Sequence, residues 1–430
     1  MKVLRFNQDS TCCVVSAAPH LVSIYNCDPF GKCFELDNRS TSNGREGSPQ
    51  YTVADGGTSE ESDREFVIEM LFSTSLVAIA DRSQGSSNGK KLKIVNTKRK
   101  STICEISFPH EIVDVVMNRK RMCILLESDQ IFVYDISCMK PLETIDLWED
   151  HFKRTANTNA KSKGKKQNDL ARERRNSVGA RIRPRMALSG DDRSILCYTS
   201  YSANKNNPDS YLLHDAVVFD ALNVTPINYL NSMHKGNISS LAVSHDGKSI
   251  ATASDKGTII RVFNTGADSE YDSTKPLLHE FRRGTRPCNL YQLVFNRSAT
   301  LLGCVGGTDT IHIFNLNNSD RNGISGEAGD DELLLANNQS DTLRDTKGSS
   351  ESPKQLANYI SRRIKATIPN QNLRRDFAHI NVELGTENCL GFPDEFPHQA
   401  YLASSDGQFK VYSLPSTSGE CVLTKNSTFN

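Results

Sequence analysis

Two adjacent arginines, Arg282 and Arg283, stand between Phe281 and Gly284 in a chain whose charges otherwise balance. The segments on either side read as β-strands. Neighbouring side chains of an extended chain point to opposite faces, so the pair is expected to split. One arginine should lean on the unit before it and the other on the unit after it, while Gly284 lets the backbone turn away. The planar guanidinium is the side chain best matched to bidentate phosphate binding. Matching groups lie close by: His234, Ser254, Lys256, Thr258 and Arg261 before the pair, and Thr308, Thr310 and His312 after it. Two half-sites, each with an arginine, hydroxyl donors and a His or Lys, suit two phosphorylated head groups. The same arginines also suit carboxylates on neighbouring strands, and residue type alone leaves both readings open.

Other clusters carry weaker signals. Asp114, Arg119, Lys120 and Arg121 interrupt an apolar context at a turn, where a merely solvated turn is the ordinary reading. In "KQLANYISRRIKATI" (354–368), Leu356, Tyr359, Ile360 and Ile364 recur at spacings of three and four, with Arg362, Arg363 and Lys365 off that stripe. This pattern predicts a basic amphipathic helix, either an interfacial membrane anchor or a surface helix packed on its own domain. "ELLLA" (332–336) is a second apolar candidate. Ser177 in "RERRNS" has the surroundings of a basophilic kinase site. No G-x-S-x-G, P-loop or HExxH motif occurs, so no enzyme is expected. Twelve cysteines are scattered, many inside apolar runs, and none forms C-x-x-C. They read as buried thiols, with no metal and no cofactor implied.

These residues need a frame to hold them. The chain has 430 residues, with 51 basic against 51 acidic side chains, so no net field draws it to nucleic acid or membrane. No apolar run has the length of a membrane span, and the N-terminus has no signal-peptide core, so a cytosolic protein is expected. Short β-rich runs recur between Asn, Asp, Gly and Ser turns. The clearest is 238–265, with turns at His245-Asp246-Gly247 and Asp255-Lys256-Gly257. Residues 290–316 repeat its layout, and looser copies fall at 4–27, 66–97, 112–136, 186–222 and 389–414. Repeats of roughly 40–50 residues with four strands each predict a β-propeller. Seven copies predict an all-β, seven-bladed, WD40-like propeller spanning 1–430 as one domain. Three insertions break the pattern: 38–64, expected to be disordered; 152–185, a basic loop with twelve Lys or Arg against two acids; and 317–375, before a fourth blade-six strand at 377–382. The basic loop lacks interleaved aromatics, which argues against a nucleic-acid partner.

The stretch Phe281-Arg282-Arg283-Gly284, with "SHDGKSIATASDKGTIIRVF" before it and "TIHIF" after it, resembles the PROPPINs, β-propellers that bind phosphoinositides. The resemblance covers nearly all of the ordered chain. It implies two sites for phosphatidylinositol 3-phosphate and 3,5-bisphosphate. The first would use His234, Ser254, Thr258, Arg261 and Arg282; the second would use Arg283, Thr310 and His312, with Lys256 and Thr308 as helpers. Where family members often carry a serine four residues before the second-site threonine, this chain has Gly306 and then Gly307, so the second site is expected either to be weaker or to use backbone N–H groups as its anion donors. The resemblance further implies that the 317–375 loop inserts into membrane. It implies that Arg119, with Asp114 and Arg121 beside it, grips an acidic patch on a coiled coil of the lipid-conjugation machinery, autophagy-related protein sixteen. It implies recruitment of the machinery for the ubiquitin-like autophagy-related protein eight, in selective autophagy and cytoplasm-to-vacuole transport, at vacuole, endosome and preautophagosomal membranes. The rival reading is a WD-type protein–protein scaffold without lipid binding.

Overall fold

The computed structural model describes residues 1–18, 21–37, 66–82, 87–148, 183–204, 207–268, 276–317 and 373–429. The expected insertion at 38–64, most of those at 317–375 and 152–185, Ser177, "ELLLA" and the stripe Leu356, Tyr359, Ile360 and Ile364 fall outside them. Packing divides the chain into a unit of Met1–Leu316 with Arg375–Asn430 and a second, Asn317–Arg374, of which only the ends are described.

The first unit is a seven-bladed β-propeller, with seven antiparallel sheets in chain order. Blade 1 runs Lys2–Phe6, Cys12–Ala18, Leu21–Cys27 and Phe30–Asp37, and blade 2 runs Phe66–Met70, Leu76–Asp81, Lys91–Asn96 and Ser101–Ser107. Blade 3 runs from Ile112–Met117 to Lys140–Asp146, and blade 4 from Met186–Leu188 to Thr225–Leu230. Blade 5 comprises Ile238–Val243, Ser249–Ser254, Ile259–Asn264 and Leu277–Arg282, and blade 6 Leu290–Phe295, Leu301–Gly306, Thr310–Asn315 and Ala378–Asn381. Blade 7 comprises Asn388–Gly391, Gln399–Ser404, Gln408–Ser413 and Val422–Thr428. The first strands of successive blades touch in a closed cycle around the axis, each blade 7 neighbour included.

The core lies between blades. Seven hydrophobic clusters fill the seven seams, one each. A twisted four-stranded sheet presents apolar side chains on both faces, and stacking blades radially covers both. The ring closes without strand exchange: blades 1 and 7 each draw their strands from one contiguous stretch. Aromatic packing joins them, with the Phe30 ring stacked on Phe409 at 4.9 Å and Tyr25 edge-on to Phe429 at 4.9 Å. Gly419–Glu420 adds a short parallel strand to the outer edge of blade 6, tying blade 7's last connection to its neighbour.

Candidate anion site at the junction of blades 5 and 6

The arginine pair lies at the end of blade 5's outer strand, where the chain crosses to blade 6. Phe281 is fully buried in the seam between them, its ring 4.7 Å from that of Phe314. Arg282 lies opposite Ile259 on the third strand. The Arg283 N–H then donates to the Thr258 carbonyl at 3.0 Å. The Arg283 side chain is buried, donating from Nε to the Gly257 carbonyl at 2.8 Å and from Nη2 to the Arg286 carbonyl. Its charge reaches Cys288 and Cys304 of blade 6. Two of the Arg283 nitrogens hold backbone, one of them the Gly257 carbonyl of blade 5 and the other the linker itself. Arg283 is therefore a clamp on the linker.

The glycine that this linker needs is Gly257, not Gly284. Gly284 has no left-handed φ, and a Cβ there would meet nothing within 4 Å. At Gly257, φ is +58° and a Cβ would sit 2.2 Å from the Cys288 carbonyl oxygen. The linker crosses so closely over the turn between blade 5's second and third strands that no side chain fits. The Cys288 N–H donating to the Lys256 carbonyl at 3.1 Å fixes the crossing.

Of the residues assigned to the first site, His234 and Arg261 are in contact. His234 is buried, with Nε2 3.1 Å from Thr252 Oγ1 and Nδ1 3.5 Å from Arg261 Nη1. Arg261 also donates from Nη1 to the Met233 carbonyl at 2.7 Å and from Nε to Glu280 Oε1 at 2.7 Å. Arg261 and Glu280 are direct cross-strand partners. Burial, helped by the Arg261 charge, pushes the His234 imidazole down to about 4. Ser254 and Thr258 flank the Gly257 turn, both half-buried. Sequence reasoning missed Glu280 and His214. Glu280 lies two residues before Arg282, hence on the same face of its strand, and that spacing is the signal that could have found it. His214 is buried, its Nε2 3.3 Å from Asp215 Oδ1, its Nδ1 without a hydrogen-bond partner and its charge felt at His234.

The second group is looser. His312 Nδ1 lies 2.9 Å from Asp376 Oδ2, a hydrogen bond that holds the Asp376 carboxyl below its usual range. His312 lies opposite His379, and Thr310 opposite Asn381. Thr310 Oγ1 donates to Asp309 Oδ1 at 3.2 Å, and Thr308 Oγ1 to the Thr310 carbonyl at 3.1 Å. Arg261 and His312, one in each group, each pair with a carboxylate. Gly306 is a packing residue: a Cβ there would lie 2.6 Å from Leu290 and 2.8 Å from the Asn289 carbonyl oxygen. The Gly307 N–H already donates to that Asn289 carbonyl at 3.1 Å. The expected use of these backbone donors for an anion is thus corrected at Gly307, whose donor is spent on the linker.

The second cluster separates. Arg119 is exposed, its guanidinium 4.4 Å above the ring of buried Phe72. Arg121 is buried and bridges to blade 4, donating to the carbonyls of Ala221 at 2.7 Å and Leu222 at 3.0 Å and to Asp135 at 3.2 Å. Asp114 lies on blade 3's innermost strand and bonds Arg5 of blade 1 at 3.1 Å, and Arg5 also binds Glu69 of blade 2. Of the three, Arg119 is exposed, Asp114 half-buried and Arg121 buried. Among the described residues no three His, Cys, Asp or Glu side chains gather as a metal site, and no helix is long and apolar enough to cross a membrane.

Comparison with known proteins gives a consistent family. Residues 50–155 and 192–329 match the PROPPIN family model. Autophagy-related protein 21 of Saccharomyces cerevisiae S288c is 56% identical over 495 residues, with both chains covered completely. Autophagy-related protein 21 of Eremothecium gossypii is 50% identical over 435 residues, again with both chains fully covered. Among solved structures, the complex of KlAtg21 with the coiled coil of AgAtg16 superposes with a TM-score of 0.71 at 40% identity, covering 100% of this chain and 99% of that one. Kluyveromyces lactis Hsv2 shares the fold at 15% identity, with a TM-score of 0.57 over 100% of this chain and 99% of its own.

Proposed function

This chain belongs to the PROPPIN family, and from that premise we propose that it is a phosphoinositide effector acting in autophagy. Its relatives are named as autophagy-related proteins, and the coarse role follows theirs. In this reading the two groups around Arg282 and Arg283 hold the phosphates of phosphatidylinositol 3-phosphate and 3,5-bisphosphate. The observation that carries it is the crossing of the linker over Gly257. That crossing brings Arg282 and Arg283 to the turn that also bears Ser254 and Thr258, beside His234 and Arg261. A phosphate there meets hydroxyl donors and guanidinium donors held by the backbone, so little ordering remains to be done at binding. Glu280 tempers the positive charge of Arg261, so phosphate must compete with a carboxylate for that guanidinium.

Attachment to membrane by head groups alone is modest, and a second signal from the 317–375 segment, with Leu356, Tyr359, Ile360 and Ile364 inserted, belongs to the same proposal. Arg119 is the residue proposed to meet an acidic coiled coil. KlAtg21 has been solved with the coiled coil of AgAtg16, which supports that kind of partner. Recruitment of the machinery for autophagy-related protein eight, and residence on vacuole, endosome and preautophagosomal membranes, complete the reading. It proposes no catalysis.

Co-sedimentation with liposomes tests it, comparing wild type, Arg282→Thr and Arg283→Thr across phosphoinositide types. The expected result is pelleting of wild type with 3-phosphorylated lipids alone and loss of pelleting in both variants. Arg283→Thr should also lower the melting temperature, because its Nε and Nη2 hold the linker. Equal pelleting of wild type and both variants would leave a protein–protein scaffold as the function.

A further inference from the structure

In each blade, the turn between the first and second strands and the turn between the third and fourth lie at the same end of the sheet. In blades 2 and 3 those turns span 71–75, 97–100, 118–120 and 136–139. They hold Lys98, Arg99, Lys100, Arg119 and Lys120, all exposed, and no acidic residue. None of these basic side chains is in an ion pair among the described residues. Contacts join the turns into one strip. The Arg119 guanidinium lies over Phe72 in the first turn of blade 2. The Thr97 N–H donates to the Ser75 carbonyl at 2.8 Å, which fixes the Lys98–Arg99 turn against that same turn. Asn118 holds the Arg119 turn, accepting from the Lys120 and Arg121 N–H groups at 2.9 and 2.8 Å and donating to the Ser189 carbonyl of blade 4 at 2.9 Å. Lys100 instead lines the cleft beside blade 1. Acids border the strip on both sides: Asp9 of blade 1, which accepts from Ser73 Oγ at 3.1 Å, and Asp191 and Asp192 in the first turn of blade 4. A broad anionic surface would meet those carboxylates, whereas a narrow acidic rod would pass between them. Two strand spacings of about 4.8 Å separate the first turn of blade 2 from the Lys98–Arg99 turn, which sets Arg119 roughly 10 Å from the outer pair. An α-helix covers that span in about seven residues, the heptad repeat of a coiled coil.

We propose that Lys98 and Arg99 are a second, outer contact for an acidic coiled coil, which lies along blade 2 from Arg119 to the rim and presents carboxylates one heptad apart. Resting on the coiled-coil reading of Arg119, this arrangement gives the inner carboxylates to Arg119 and Lys120 and the outer ones to Lys98 and Arg99. Phe72, buried beneath Arg119, keeps the inner guanidinium in place.

Binding of a synthetic two-stranded coiled coil with inner and outer Glu clusters one heptad apart, read by fluorescence polarisation on the full chain, tests it. Affinity should fall by about tenfold or more for Lys98→Glu/Arg99→Glu, and less steeply for Lys98→Ala/Arg99→Ala, both at unchanged melting temperature. A coiled coil with Lys in place of its outer Glu cluster should bind Lys98→Glu/Arg99→Glu better than wild type. If Arg119→Glu loses binding while both outer-turn variants bind as wild type does, the coiled-coil reading stands and the outer contact is wrong. If wild type does not bind the coiled coil, both fall. If Lys98→Glu/Arg99→Glu loses binding to phosphatidylserine vesicles but not to the coiled coil, the outer pair serves a lipid surface and the proposal is overturned.

Discussion

His234 reaches the candidate site as a neutral imidazole. Burial and then the Arg261 charge hold its pKa near 4, whereas a free imidazole titrates near 6.5. Between those values the unfolded chain binds a proton that the folded chain refuses. The residue's contribution to stability is therefore complete above pH 6.5 and falls as pH drops toward 4. At pH about 5 the loss amounts to about 2 kcal/mol. Urea unfolding of wild type and His234→Gln at pH about 7 and about 5 should show the wild type losing that much more stability than the variant. Equal losses would mean that His234 is protonated in the fold. The residue types of this site were legible in the sequence, because His, Ser, Thr and Arg recur at fixed offsets from turns. Their state was not. The carboxylates that pair with Arg261 and His312, Glu280 on the neighbouring strand and Asp376 just before another, are brought to them only by the folded sheet.

The same limit applies to whole elements. The inner strands of each repeat announced themselves because both faces are buried and the turns carry Asp-Gly or Asn. The outer strands Thr225–Leu230 and Val422–Thr428 did not, because solvent covers them and no apolar alternation is required. Strands Ile195–Asn204 and Asn207–Asp220 of blade 4 pair beyond the expected strand ends, through a stretch whose polar residues hide it from periodicity. The linker between blades 5 and 6 shows how the element scale decides a residue. Resemblance alone suggests that Gly306→Ser would restore a phosphate donor. Packing says otherwise, since the new Cβ would lie 2.6 Å from Leu290 and 2.8 Å from the Asn289 carbonyl. The variant should be destabilised by about 1–3 kcal/mol and should bind 3-phosphorylated liposomes no better than wild type. Tighter binding at an unchanged melting temperature would show that the linker yields, and would make the second group a site limited by a missing hydroxyl.

A closed ring makes every seam structural but only some of them functional. The seam between blades 1 and 7 is as necessary as that between blades 5 and 6, because opening either exposes two sheet faces at once. Phe409 fills the first, fully buried and stacked on Phe30. Phe314 fills the second, fully buried against Phe281. Replacing either by Ala removes a buried ring and should cost about 3–5 kcal/mol. Stability measurements should therefore rank Phe409→Ala and Phe314→Ala together. Lipid binding should not. Phe281 is the residue before Arg282, so a cavity beside it loosens the strand end and the linker that present both arginines, while a cavity at Phe409 leaves them in place. At a temperature where both variants are folded, Phe314→Ala should pellet with 3-phosphorylated liposomes markedly less than Phe409→Ala, and Phe409→Ala should match wild type. If both lose binding equally, the site depends on the tension of the whole ring rather than on its own seam. The seven-fold repeat that was legible from sequence would then be part of the binding site itself. If neither loses binding, the linker is held by its backbone bonds over Gly257 alone, and Phe281 serves only the core.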